Sequence, residues 1–267
     1  MIPLYDSISA RRLSVTNYGI IAACAAVFLI QFCAAGRDQQ IIEDFGLMPI
    51  RVTSGNQAYV ARLTPLTANS TDAIGSTPKP DLAPIVLTIE PSPVSPLATL
   101  VTSLFLHAGW LQLLINLWFL AIFGDNVEDR FGHVGYLCFY LLCGVFSGLL
   151  VLFMGSESVQ ITIGAAGAVA GVIGAYMVIF PSAQIVTLTP FGKMFRRIQV
   201  PAIYLVIVWI ILQWALSRIG HFPLIEMTWW THLGGLVSGI ILAAVLRAFG
   251  WLQAGELHDP FAERGYY

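Results

Sequence analysis

Residues 161–176 read ITIGAAGAVAGVIGAY, and residues 229–239 read WWTHLGGLVSG. The first stretch crowds five glycines and alanines into positions 164–168, then repeats small residues every three or four positions. The second places His232 just inside another apolar run. Gly167, Gly171 and Gly174 on one side, and Gly235 and Gly239 on the other, have the spacing that lets helix backbones approach closely in lipid. A glycine-rich turn and a histidine within apolar surroundings raise the question of a site at depth.

The surroundings are apolar throughout. Of 267 residues, 57% are hydrophobic and 10% charged, and the mean hydropathy is +0.77. Soluble domains carry about 25% charged residues, so the composition describes a multi-spanning membrane protein. A formal net charge of -2 gives no footprint for nucleic acid. Cys24, Cys33, Cys138 and Cys143 all fall in apolar runs without metal-like spacing to histidines, so they read as buried structural thiols, and no metal or cofactor is expected. The first apolar run follows Arg11 and Arg12 but is long for a signal sequence and lacks a good cleavage site. It is read as a retained helix.

A membrane-crossing helix needs about 20 apolar residues. Six segments qualify: 17–36, 99–123, 134–154, 162–180, 201–217 and 229–249. The fold class expected is therefore an all-α six-helix membrane bundle. Residues 1–16 form an N-terminal segment, 37–98 a proline-rich loop, 99–249 the core and 250–267 a tail. The stretches GDNVEDRFGH and PFGKMFRRIQ read as short charged loops. With the N-terminus inside, Arg11, Arg12, Arg130, Lys193, Arg196, Arg197, Arg247 and Arg264 lie on the inner side. Arg37, Arg51, Arg62, Lys79 and Arg218 lie outside. That excess of basic residues inside favours cytoplasmic N- and C-termini and an external 37–98 loop, in a bacterial inner or plasma membrane. No internal repeat supports an inverted-repeat transporter.

In this topology spans two, four and six run parallel, each with its N-terminal half near the outer face. Span two carries His107, Gln112 and Asn116, and the last two share a helix face. Span four opens with Thr162 and Gly164–Gly167, and span six with His232. Polar groups at such depth are costly and face an interior or a hydrated cavity. Their convergence from three helices points to one site.

These residues resemble the rhomboid intramembrane serine proteases. The likeness is carried by HAGWLQLLIN at 107–116, FGDNVEDRFGH at 123–133, GAAG at 164–167 and THLGG at 231–235, with FGLMP at 45–49 beside them. The resemblance implies a catalytic dyad, with a nucleophile at the position of Ala166 and His232 as general base. It implies oxyanion support from Gln112, Asn116 and the backbone at Gly164, with structural roles for His107, Glu128, Gly167, Gly235 and Gly239. Substrates of the family are transmembrane segments unwound near their outer ends.

Two positions depart from the family pattern. Ala166 stands where the serine belongs, and Gln112 where a second histidine belongs. Removing the serine from a serine protease costs about a million-fold in turnover. Thr162, a helical turn away, and Thr231, beside His232, are poorly placed to substitute. His232 is then expected to bond Tyr176 or a water. An alanine at 166 fits either a natural pseudoprotease or an active protease silenced by a laboratory substitution. The second departure, at Gln112, favours the former. The implied function is binding of membrane clients in the groove between helices two and five, with the lipid bilayer and transmembrane segments of other proteins as partners. A channel or transporter is the remote alternative, since the spans hold no acidic relay.

Overall fold

Two helices meet through glycine, and the rest of the bundle is arranged around that contact. In the computed structural model of the protein, which describes residues 2–8, 12–34, 36–63, 85–191, 194–219 and 223–252, helix α8 (Ala166–Ile179) lies against α10 (Pro223–Ala248). A Cβ on Gly235 would sit 1.8 Å from the carbonyl oxygen of Gly167. One on Gly239 would sit 2.1 Å from that of Gly171. Only hydrogen fits at these points. Residues 167–176 of α8 are all buried, which makes it the central helix of the bundle.

Four described helices are long and apolar enough to cross a membrane: Val15–Cys33 (α1), Trp110–Phe131, His133–Met154 (α7) and Trp229–Ala248 within α10. Two further apolar helices are shorter, Ala166–Ile179 and Ala202–Ala215, the latter within α9 (Ala202–Ile219). At about 1.5 Å per residue, α8 is shorter than a hydrocarbon core. Large apolar side chains point outward, among them Ile30, Phe32, Phe153, Val208 and Ile211. Exposed apolar surface on this scale belongs in lipid, and the chain is a membrane protein.

The second expected span differs from its sequence reading at both ends. Residues from 99 form a short helix, α4 (Thr99–Thr102), and a 3-10 turn, Ser103–Phe105. His107 therefore lies before the long helix and not on it. That helix starts at Trp110, runs as α5 (Trp110–Phe119), passes through a π-helical stretch at Leu120–Gly124 and continues as α6 (Asp125–Phe131). The stretch read as a charged loop is thus its last two turns, and the bend to α7 is at Gly132, with φ +69°.

The reason lies in α1. Asn17 Nδ2 donates to the Leu120 carbonyl (2.9 Å), a group in the π stretch, and Asn17 Oδ1 accepts from the Tyr136 hydroxyl (2.9 Å). Glu128 accepts from the Thr16 and Asn17 backbone N–H groups (2.9 and 2.7 Å) and bonds His133 Nδ1. A carboxylate on α6 thereby satisfies orphan donors at the N-terminus of α1.

The all-α expectation is corrected by two β elements. PFGKMFRRIQ is no plain loop: β4 (Gln184–Phe191) and β5 (Met194–Pro201) form an antiparallel hairpin, and the N-terminal strand β1 (Ile2–Asp6) pairs with β4, giving the order β1-β4-β5. A second ribbon, β2 (Tyr59–Leu63) with β3 (Ile85–Ile89), flanks the proline-rich stretch. Among the described residues, the 37–98 segment also holds the short helices α2 (Asp38–Phe45) and α3 (Pro49–Thr53). Residues 67–81, Lys193 and the tail from 253 lie outside the described residues. The thiols are also not all buried. Cys24 and Cys143 face the interior, whereas Cys33 and Cys138 are exposed on α1 and α7.

The three-stranded sheet closes one end of the bundle through Asp6. Its carboxylate accepts from the Tyr176 hydroxyl and from Asn126 Nδ2, both at 2.7 Å. Burial pushes the Asp6 carboxyl up to about 7, with the neighbouring Asp125 adding to the rise and the Tyr176 hydroxyl opposing it. In the unfolded chain this group charges near pH 4, and in the native fold only near pH 7. The native state is therefore progressively disfavoured as pH rises from about 4 to about 7. Thermal unfolding of Asp6→Asn in detergent should show that this loss, of order 1 kcal/mol after allowance for partial exposure, has disappeared from the pH profile.

Glycine at the helix contact is equally testable. Gly239→Ala must push α8 and α10 apart and should cost about 1–3 kcal/mol. Gly19→Ala, where a Cβ meets nothing within 4 Å, should be neutral or mildly stabilising by comparison. Parallel melting curves of the two variants decide it.

Candidate active site

The site is built from the turn that leads into α8. Thr162 is not helical: it pairs with Leu47 through two backbone bonds (3.1 and 2.8 Å), so the FGLMP segment anchors the approach. Gly164 follows with φ +116°, a conformation that L side chains rarely adopt. Its N–H donates to the Ser103 carbonyl (2.9 Å) and is not free for an oxyanion. A Cβ here would also lie 2.4 Å from Gln112 Nε2. Ala166, half-buried between buried Ala165 and Gly167, is the first residue of the helix. The N–H groups of Ala165, Ala166 and Gly167 have no hydrogen-bond partner among the described residues. They are the orphan donors of a helix start.

Gln112 bridges two segments of the chain. Its Oε1 accepts from the Ala108 N–H (2.8 Å), and its Nε2 donates to the Ile163 carbonyl (2.9 Å). One planar amide ties the chain before α5 to the turn before α8. The acceptor and one N–H of the amide are thus engaged, which leaves one N–H. Asn116, one turn further along α5, is buried, and its Nδ2 has no partner among the described residues. His107 is buried too. Its backbone N–H and carbonyl pair with the Gln31 amide (3.1 and 3.3 Å), and its Nδ1 lies 3.2 Å from the Phe105 carbonyl. These backbone bonds tie the segment before α5 to α1, while the buried Nε2 has no partner among the described residues.

His232 stands three residues before Gly235 on α10, so the Gly167–Gly235 contact brings it to the helix that begins at Ala166. Its ring meets Trp209 of α9 edge-on, with centroids 4.9 Å apart. Nδ1 is buried without a hydrogen-bond partner. The expected bond to Tyr176 is absent, because that hydroxyl is committed to Asp6. Among the described residues, no group of three or more His, Cys, Asp or Glu side chains is placed to hold a metal ion.

One residue escaped the sequence reading. Ser147 of α7, 1% exposed, donates to the Thr231 carbonyl (2.7 Å), and its Oγ lies 2.1 Å from where a Cβ on Gly167 would be. It wedges α7 against the α8–α10 contact, which gives Gly167 a second reason to be glycine. A single serine in an apolar span carries no motif. Its neighbours Gly144 and Gly148 were the only hint of a close-packed face. Engaged and buried, it is no surrogate nucleophile.

Residues 95–249 match the family model of the Rhomboid domain, which is more than half of the chain. The chain belongs to the rhomboid family. It is 29% identical over 147 residues to RHOMBOID-like protein 6, mitochondrial, of Arabidopsis thaliana, covering 55% of this chain and 43% of that protein. With RHOMBOID-like protein 5 of the same plant it shares 26% identity over 167 residues, covering 62% and 49%. With Rhomboid-like protein 11, chloroplastic, it shares 41% over 71 residues, covering 27% and 25%. The chain thus spans half or less of the length of these relatives.

The role of Gln112 is open to measurement. Gln112→Ala removes two hydrogen bonds at about 1 kcal/mol each, so melting should drop by about 2 kcal/mol. Hydrogen exchange should rise at residues 106–109 and 161–164 before it rises in α7.

Proposed function

We propose that this protein is a rhomboid pseudoprotease that binds transmembrane segments of other membrane proteins without cutting them. The observation that carries the reading is the start of α8. Its turn has the backbone conformation and unpartnered N–H groups of a site built for an oxyanion, and glycine contacts bring the histidine helix alongside. Yet residue 166 ends in a methyl group. Alanine offers neither a nucleophile nor a proton for His232 to take.

The way Gln112 is bonded on both sides supports a natural departure from the family pattern rather than a lone substitution at 166. A change at 112 accommodated by two good hydrogen bonds belongs to a settled native turn. The six apolar helices are taken as six spans with both termini inside and the 37–98 segment outside. Ala166, Gln112 and His232 then lie toward the outer face, with the β1-β4-β5 sheet inside. The groove between α5 and α9 receives the client from the bilayer.

The test is chemical. The protein in liposomes should neither cleave a helix-destabilised transmembrane substrate nor react with a fluorophosphonate. Ala166→Ser should gain labelling at residue 166 and slow cleavage. Labelling of the unaltered chain at any residue overturns the pseudoprotease reading. A folded Ala166→Ser protein with no labelling and no cleavage means that His232 is not poised as a base.

A further inference from the structure

An apolar cavity of about 510 Å³ separates the α5 helix from α9, walled by Phe119, Phe123, Ile173, Leu205 and Trp209. Its far end, away from His232, is made by Pro3 and Val200. Both belong to the three-stranded sheet. The N-terminal strand therefore forms part of the groove itself.

The bonds that hold this strand in place run to both walls. On the α5 side, Trp118 Nε1 donates to the Pro3 carbonyl (2.9 Å), and Asn126 Nδ2 donates to Asp6 (2.7 Å). In the middle, the Tyr176 hydroxyl of α8 reaches the same carboxylate oxygen. On the α9 side, β1 pairs with β4 from Ile2↔Leu188 to Asp6↔Ile185, and Ser7 N–H continues to the Gln184 carbonyl (2.9 Å). Strand β4 pairs with β5, and β5 leads directly into α9 at Ala202, whose N–H bonds the Ala183 carbonyl (2.9 Å). A continuous hydrogen-bonded path thus joins the two walls across the groove, and β1 is its central link. The strand is short and irregular, its register shifting between Pro3 and Tyr5.

We infer that β1 is a latch, pinned by Asp6 and Trp118, which closes the sheet-side end of the groove and limits how far the α5 helix moves from α9. The client role of the groove rests on the function proposed above; the latch itself does not. Closed, it restricts an incoming segment to the portion of the groove near Trp209 and His232. Released, it frees the full length of α5 and opens the groove to a longer segment.

Hydrogen exchange on the full-length protein in detergent tests the latch without reference to any client. Asp6→Lys should raise exchange over residues 110–124 at least about five-fold while α7 and α8 stay at the unaltered level. Trp118→Phe, which removes only the bond to Pro3, should raise it about two-fold and serves if Asp6→Lys fails to fold. An oxidised Tyr5→Cys/Val186→Cys pair, joining register neighbours of β1 and β4, should hold exchange at or below the unaltered level, and reduction should restore it. No change in residues 110–124 in a folded variant, or an equal rise throughout α7 and α8, overturns the latch. A photocrosslinker at Val208 supplies the separate arm. If exchange responds as stated but no variant captures a transmembrane segment, the latch stands and the client reading fails. If capture occurs equally in latched and unlatched forms with exchange unmoved, the latch fails and the client reading stands.

Discussion

The close approach of α8 and α10 is the constraint on which the rest depends. In lipid, helices gain little by hiding apolar side chains from one another, so dispersion contact between backbones is what is left to hold them together. Gly167 against Gly235, and Gly171 against Gly239, bring the two backbones to contact. That contact brings His232 alongside the start of α8. Ser147 donates across the same seam to the Thr231 carbonyl, so three helices share one packing point. His232 is held in place by residues with no chemistry of their own.

Polar groups inside the bundle follow a second rule: each costs several kcal/mol unless partnered, and most find partners on a distant part of the chain. Asn17, Glu128 and Tyr136 satisfy one another and the π stretch, and His107 exchanges two bonds with Gln31. Against that background the unpartnered atoms stand out. Asn116 Nδ2, His232 Nδ1 and the first N–H groups of α8 are left without partners among the described residues. Others lie elsewhere in the fold, among them His107 Nε2, Ser54 Oγ and Arg130 Nε.

Much of this was legible in the chain. Composition and the lengths of apolar runs determined a membrane protein, because burying backbone in lipid demands helices of a set length and little charge. Glycine spacing marked the α8–α10 seam, because only a missing Cβ permits such contact. The motifs around Gln112, Ala166 and His232 pointed to the family that the comparisons show.

Tertiary structure alone decided the rest. The sheet was hidden because residues 190–199 read as a short charged loop, and β1 pairs with a strand about 180 positions away. The late start of the α5 helix depends on Gln31 holding His107, and its long end on Glu128 capping α1, both bonds across more than 70 positions. The engagement of Gln112 could not be read either: an amide's hydrogen-bond partners are set by which backbone groups folding brings within 3 Å. Periodicity and motif report on neighbours along the chain. The partners of a polar side chain are neighbours in space, and only packing selects them.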